Sequence, residues 1–320
     1  MTESVDIKQQ QAFVVLNPVA GRTTPADVRY ALEQVFGGSW VYSIYETQPD
    51  DDITAKVKQA LAEGCDLVVA AGGDGTVSMV ANGLVGSDVP LGIIPAGSAN
   101  VLALELGIPG EIPAAAALLI GNHVQRQLDV MQIENQYFLL QIGIGLDSLM
   151  IKDTDRAAKR AFGRWAYMQT LVKKLFGFRS QRFTIVVDGK RLRPRAAQVL
   201  VANAGTLGAK PLTWGPDIHP NDGRLDLCIV KVRTLLDYPR VVAQFITGKR
   251  HNSANIQYVQ ITNQVMIAAD RPMPVQADGE IIGNTPISVK VVPHGIRVIV
   301  PPDAEPASPI KVFREASRNS

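Results

Sequence analysis

The sequence predicts an α/β domain followed by an all-β domain: a doubly wound parallel sheet over residues 1–129, a β-sandwich over 130–300, and a tail over 301–320. Three observations predict this. Apolar, strand-like runs alternate with helical spacing up to about Asp129, the pattern of sheets wound by βαβ crossovers. Beyond Asp129, short strand-like runs separated by turn residues take over, as in a sandwich. In the first part, polar glycine-bearing loops (Asn17–Arg22, Gly72–Thr76 and Pro95–Asn100) recur at the carboxyl ends of strands, where such sheets hold ligands.

Ala12–Leu16 reads as a buried strand that runs into Asn17-Pro18-Val19-Ala20-Gly21-Arg22. Pro25–Phe36 has helical spacing, with Val28, Leu32, Val35 and Phe36 on one face. Trp40–Tyr45 is rich in β-formers, and Thr47 follows it at the same sheet edge. Asp50–Glu63 reads as a helix whose leading aspartates, Asp50, Asp51 and Asp52, suit the positive end of the helix dipole. The apolar run from Leu67 to Ala71 is cut short by Gly72-Gly73-Asp74-Gly75-Thr76, and Val77–Val85 continues as a helix. Glycines let the backbone turn sharply and present bare N–H groups, and a helix N-terminus adds partial positive charge, so this unit is a phosphate cradle in outline. A carboxylate among such N–H groups is costly unless it has a task, and holding Mg²⁺ beside a triphosphate is one. Leu91–Ile94 is the next strand, entering Pro95-Ala96-Gly97-Ser98-Ala99-Asn100, and the helices Val101–Leu106 and Pro113–Ile120 follow. Neither a P-loop nor the dinucleotide fingerprint is present.

In the second part Gln136–Ile142 leads into Gly143-Ile144-Gly145-Leu146-Asp147. Arg182–Val187, an Asp188-Gly189 turn and Ala196–Asn203 read as a hairpin. Arg224–Lys231, Ile256–Ile261, Gln264–Ala268, Val275–Ala277, Ile287–Val292 and Ile296–Val300 read as strands, with a helix over Leu235–Ile246. Two acidic turns stand out, Asn221-Asp222-Gly223-Arg224-Leu225-Asp226 and Ala277-Asp278-Gly279-Glu280. Each reads by default as a plain turn, but a base that deprotonates an alcohol needs a carboxylate such as the second turn supplies.

With 320 residues, 46% of them hydrophobic and 19% charged, the chain can bury sizeable cores, and a net charge of +2 names no partner. Cys65 and Cys228 lie far apart in apolar settings, with neither disulfide nor zinc spacing. No apolar run reaches the ~18 residues of a membrane span, and the polar N-terminus lacks a signal pattern, so the expectation is a cytoplasmic protein. Charge is uneven, however: residues 156–195 hold twelve Lys or Arg against one acid, Asp188, with Phe162, Trp165, Tyr167, Phe176 and Phe178 interleaved. That mixture suits an anionic lipid surface, a nucleic acid, or a solvated basic face.

In this order the motifs resemble the diacylglycerol kinase catalytic family of bacterial lipid kinases, which is related to sphingosine kinases. The resemblance is carried by Asn17-Pro18 with Gly21, Gly72 to Thr76, Pro95 to Asn100, Leu128-Asp129-Val130, Gly143 to Asp147, Gly163 with Tyr167, Val201-Ala202-Asn203, Asp222 to Asp226 and Asp278-Gly279-Glu280. It implies an ATP- and Mg²⁺-dependent kinase acting on diacylglycerol or a related lipid alcohol, with its active site in a cleft between the two domains. On this chain it assigns ATP to Asn17, Gly21, Thr47, Gly72, Gly73, Asp74, Gly75, Thr76, Val77, Ser78 and Ser98. Asp74 would place Mg²⁺ and phosphates, Glu280 would be the general base, and Asp278 would support it. Asp222, with the carbonyls of His219 and Arg224, resembles an accessory Mg²⁺ site. The resemblance turns the basic aromatic stretch towards a peripheral contact with the inner membrane surface rather than nucleic acid, and leaves a homodimer open. Ser98 stands where the family usually has threonine, Val101 where an acid is common, and Gly208-Ala209-Lys210-Pro211 where a triple glycine occurs. The rival expectations are a soluble-substrate kinase of the NAD kinase type and a lipid-binding module with a vestigial kinase site.

Overall fold

The computed structural model describes residues 9–21, 24–146, 148–149, 180–209, 212–215, 217–232, 237, 241, 244 and 254–303. In chain order the first elements are β1 (Gln10–Leu16), α1 (Pro25–Phe36), β2 (Trp40–Glu46), α2 (Ile53–Ala62), β3 (Leu67–Gly72), α3 (Asp74–Leu84), β4 (Leu91–Pro95), α4 (Val101–Glu105) and α5 (Ile112–Leu118). Strands follow: β5 (Val124–Ile133), β6 (Gln136–Phe138), β7 (Gln141–Gly145), β8 (Gln181–Val187), β9 (Lys190–Leu192), β10 (Arg195–Ala196) and β11 (Gln198–Ala202). The last are β12 (Thr206–Ala209), β13 (Leu212–Thr213), β14 (Leu225–Val230), β15 (Ile256–Ile261), β16 (Gln264–Ala269), β17 (Pro274–Ala277), β18 (Glu280–Asn284) and β19 (Ile287–Val300). The described residues divide into two compact units, 9–128 with 294–303, and 129–293.

In the first unit the strands run parallel in the order β2-β1-β3-β4, and the end of β19 adds a fifth, Val298 lying opposite Leu91. Every residue of β3 is buried, as expected of a central strand covered on both faces. On one face, Ala12, Val14 and Leu16 of β1 with Leu67, Val69 and Ala71 of β3 pack against α1 (Val28, Leu32, Phe36) and α5 (Ile112, Ala116). Elsewhere α2 and α3 approach closely: a methyl group on Gly83 would lie 2.6 Å from the Val57 side chain. Helix α1 forms where the spacing put it, opened by a capping box between Thr24 and Asp27 with Pro25 in the first turn. Helix α2 starts three residues later than expected, because Asp52 is its N-cap (Ala55 N–H donates at 2.9 Å) while the Asp51 carboxylate accepts from Gln48 N–H and the Tyr45 hydroxyl.

The second unit is a sandwich. One antiparallel sheet runs β15-β14-β11-β7-β17-β18, and the other is built on β8, β16 and the start of β19. Ile142, Ile144, Val199, Val201, Leu227 and Val275 from the first meet Phe183, Ile185, Val187, Val265, Ile267 and Val289 from the second in one core. Strands β11 and β14 are buried throughout, since their other face carries Leu200, Ala202, Cys228 and Val230 under Ile218, Val241 and Ile256.

Several expectations are corrected. Asp188-Gly189 joins β8 to β9, with Val187 opposite Lys190, and not to Ala196–Asn203. The latter stretch crosses to the other sheet as β11, because Val199 and Val201 face the core on one side and Leu200 and Ala202 are buried on the other. Gly143-Ile144-Gly145 lies within β7. Ile287–Val292 and Ile296–Val300 are one strand, β19, and its last residues belong to the first unit rather than to the sandwich. Residues 237, 241 and 244 of the expected helix are helical, and its remainder lies outside the described residues. So do 156–179 of the basic stretch, along with Asp147, Gly163, Tyr167, Lys210 and Pro211.

The Asp188-Gly189 turn has positive φ at both residues, 47° and 84°, the hairpin geometry that Asp-Gly favours. Its carboxylate accepts from the N–H groups of Thr262, Asn263 and Gln264 and from the Thr262 hydroxyl, at 2.8–2.9 Å. Desolvation opposes ionisation there, but these donors outweigh it and hold the carboxyl at about 2, below the ordinary 3.8. A depressed carboxylate stabilises the fold above its unfolded pKa and loses that contribution as pH falls through its folded one. Asp188→Asn therefore lowers the melting temperature at pH 7, and the gap to wild type closes between pH 3.8 and 2. A gap independent of pH would show that the charge is not what holds this turn.

Candidate active site

In the first unit the predicted loops meet at one sheet edge. Chain order reverses between β1 and β3, since β1 connects to β2 on one side and β2 returns to β3 on the other; such a switch point leaves a crevice at the carboxyl ends of the strands. Here the loops are in close backbone contact. A Cβ on Gly21 would lie 2.0 Å from the Ala96 carbonyl oxygen, and one on Gly97 would lie 2.4 Å from Gly73 Cα. Gly21 also has φ +61°, so both space and conformation require glycine. Asn17 Nδ2 donates to Thr76 Oγ1 at 3.2 Å, and a Cβ on Gly72 would sit 2.5 Å from that oxygen. Thr76 is buried and Asn17 half-buried, so this pair ties the first loop to the second. Thr47 N–H donates to Leu16 O, which places Thr47 beside the same edge.

The third loop is braced from within. Asn100, in the left-handed region at φ 49°, accepts from Gly97 N–H at 2.9 Å and donates to the carbonyls of Gly97 (2.8 Å) and Pro95 (3.3 Å). Asn tolerates this conformation better than most residues, a signal legible in the sequence. Asp74 is half-buried; its Oδ1 accepts from Leu102 N–H at 3.2 Å, and no cation pairs with it among the described residues. Ser98 is exposed on the loop and Ser78 is half-buried on α3. The edge thus presents N–H groups, hydroxyls and one carboxylate, a set suited to a phosphorylated ligand with a divalent cation.

In the second unit, β17 and β18 are joined by a two-residue turn, Asp278 (φ 46°) and Gly279 (φ 92°), with Ala277 opposite Glu280. The Asp278 carboxylate sits in a cradle of three backbone amides, Leu139 (2.8 Å), Leu140 (3.0 Å) and Gln141 (3.0 Å). Asp278 N–H donates back to Gln141 O, and the buried Gln276 accepts from Gly279 N–H through Oε1. Glu280, the first residue of β18, is exposed. A rigid turn therefore presents one accessible carboxylate two residues from a fixed one. These amides come from the two residues between β6 and β7 and from the first residue of β7, within the run Gln136–Ile142; nothing in Leu139-Leu140-Gln141 announces the break.

The expected accessory metal residues lie in the same unit. Asp222 takes the Arg224 N–H on Oδ1 (3.1 Å) and the guanidinium on Oδ2 (3.0 Å). Fully buried Asp129 accepts from Gly223 N–H at 2.7 Å and fixes this loop. Burial, then the charges of Asp222 and Asp217, push buried Asp226 up to about 6, against the pull of Arg224. Asp222 is itself paired with the Arg224 guanidinium. Among the described residues no three His, Cys, Asp or Glu side chains are placed to hold a metal, so an ion here relies on Asp222 and backbone oxygens.

The described residues thus form an α/β unit and a β-sandwich unit. Residues 11–133 match the family model described as diacylglycerol kinase catalytic domain, and residues 141–300 match that of the YegS C-terminal NAD kinase beta sandwich-like domain. The chain is similar to a Bacillus subtilis protein named diacylglycerol kinase, 31% identical over 91% of this chain and 97% of the relative. A Staphylococcus haemolyticus protein provisionally named a lipid kinase is 29% identical over 77% and 80%. A Bacillus anthracis crystal structure, titled provisionally as a diacylglycerol kinase, superposes with a TM-score of 0.76 at 25% identity, covering 92% of this chain and 98% of that one. The chain belongs to the diacylglycerol kinase catalytic family. Among the described residues no helix is long and apolar enough to cross a membrane.

Proposed function

We propose that the protein transfers the γ-phosphoryl group of ATP to the hydroxyl of diacylglycerol or a related lipid alcohol, with Mg²⁺. The observation that carries this reading is the three-loop edge of the first unit, where glycine backbones pack within methyl distance of one another beside the N-terminus of α3. Gly72, Gly73, Gly75, Val77, Ser78 and Ser98 line the nucleotide, while Asn17, Thr76 and Gly21 hold the loops that do so. Asp74 would hold Mg²⁺, and Asp222 a second ion with the carbonyls of His219 and Arg224. When bound, Mg²⁺ neutralises charge on the phosphates during transfer. Glu280 accepts the lipid hydroxyl proton as that oxygen forms its bond to the γ-phosphorus and the bond to the β-phosphate oxygen breaks, releasing ADP. The charge of Asp278 stays fixed in its amide cradle and sets the turn that presents Glu280. The exposed cations Arg182, Lys190, Arg191, Arg193 and Arg195 favour a peripheral contact with an anionic lipid surface.

A panel assay tests the substrate reading: labelled ATP and Mg²⁺ with diacylglycerol, phosphatidylglycerol, a sphingoid base and ceramide in mixed micelles, and NAD in buffer. Transfer to a lipid alcohol is expected. Transfer to NAD instead, or ATP binding without transfer to any acceptor, would replace it with one of the two rival readings. Gly97→Ala forces a methyl group to 2.4 Å from Gly73 Cα and so separates two of the loops. It is expected to weaken ATP binding by at least ~10-fold, the scale of about 1.4 kcal/mol, in titration calorimetry. Unchanged affinity would place the nucleotide elsewhere.

A further inference from the structure

Asn203 is 1% exposed and sits where β11 ends. Its Nδ2 donates to the carbonyls of Asp129 and Leu139, both at 2.8 Å, and its backbone N–H donates to Leu140 O at 3.0 Å. The same two peptide units, Leu139–Leu140 and Leu140–Gln141, turn their N–H ends to the Asp278 carboxylate at 3.0 Å each. Each peptide is therefore bonded at both ends, its carbonyl to Asn203 and its amide to Asp278. Hydrogen bonds linked through a peptide polarise one another, so a donor on the carbonyl strengthens the amide as a donor. The Nδ2 group also grips the carbonyl of Asp129, whose carboxylate holds Gly223 in the Asp222 loop.

A purely structural asparagine would be expected to satisfy its acceptor as well. Among the described residues, Asn203 Oδ1 is buried without a hydrogen-bond partner, an arrangement that is costly. The two donors are kept at that cost.

We infer that Asn203 is a positioning residue for the phosphoryl transfer. It fixes two of the three peptides that cradle Asp278, its side chain polarising the Leu139–Leu140 peptide, and through Asp278 it sets the turn that presents Glu280. This rests on the roles proposed above for Asp278 and Glu280. Asn203 touches neither carboxylate and acts through Leu139–Gln141.

The test uses the full chain, with turnover read on the lipid acceptor the panel identifies and on ATP. Asn203→Ala is expected to lower kcat by roughly 10-fold or more, the scale of a misplaced reacting group, with KM for ATP unchanged. With a weaker donor at Leu140 N–H, the acidic limb of the kcat–pH profile moves to higher pH. Combined with Asp278→Asn, the Asn203 change is expected to add little further loss. A loss in Asn203→Ala with an unmoved pH profile, or losses that multiply, would overturn the proposal. A second measurement leaves position 203 intact, which matters if the alanine variant does not fold. In wild-type protein labelled with [¹⁵N]asparagine, the Asn203 side-chain amide protons shift as pH falls through the carboxylate range, and Asp278→Asn abolishes that shift. Amide protons that ignore the Asp278 change would overturn it. Should Asp278→Asn and Glu280→Gln both keep wild-type turnover, the reading of the site fails and this inference with it. Should those two lose turnover while Asn203→Ala keeps it, only the inference fails.

Discussion

Glu280→Gln is expected to lower kcat by at least ~10²-fold, the scale of losing a general base, without changing the melting temperature. The side chain is exposed and starts β18 from a turn that is held by its neighbours. Glutamine keeps its shape and removes only the capacity to take a proton. KM for ATP is expected to hold, since the loops proposed to hold the nucleotide belong to the other compact unit. Turnover within a factor of two of wild type would remove Glu280 from the chemistry and leave Asp278 as the carboxylate to examine.

Asp74→Asn is expected to cost at least ~10²-fold in kcat as well, the scale of removing a charge stabiliser, with a raised Mg²⁺ requirement. The amide oxygen can still accept from Leu102 N–H, so the contact at 3.2 Å that joins the Asp74 loop to the start of α4 is kept and only the charge is lost. Alanine would lose that contact too and mix a fold effect into the result. Magnesium titrations at saturating ATP separate the charge from the fold. An unchanged Mg²⁺ dependence would assign the cation to other ligands.

Much of the first unit could be read from the residues because its signals are local. Pro25 after Thr24 opens α1, and the apolar run into Gly72 shows β3 and its turn. Even the meeting of the three loops follows from the rule for doubly wound sheets, although the tie between Asn17 and Thr76 does not. The sandwich was less legible because its decisive contacts are long-range. The Asp278 cradle lies about 140 residues earlier in the chain; Asp-Gly announces the turn but not what holds its carboxylate. Strand β18 was missed because Glu280-Ile281-Ile282-Gly283-Asn284 is short, lacks clean alternation and carries a glycine, and only pairing to β17 makes it a strand. The end of β19 was assigned to the sandwich because it follows a sandwich strand without a break, whereas its partner is Leu91. Asn203 was visible only as part of a motif; the role proposed for it depends on carbonyls from two other segments.

The account is tested most directly by following the γ-phosphoryl group of labelled ATP in one reaction containing Mg²⁺, wild-type protein and diacylglycerol micelles, then separating chloroform and water phases. It predicts label in the chloroform phase as a phosphorylated lipid, in amounts that Glu280→Gln reduces to near background while ATP binding persists. Label confined to the water phase with every lipid alcohol supplied, or equal lipid labelling by wild type and Glu280→Gln, would contradict it.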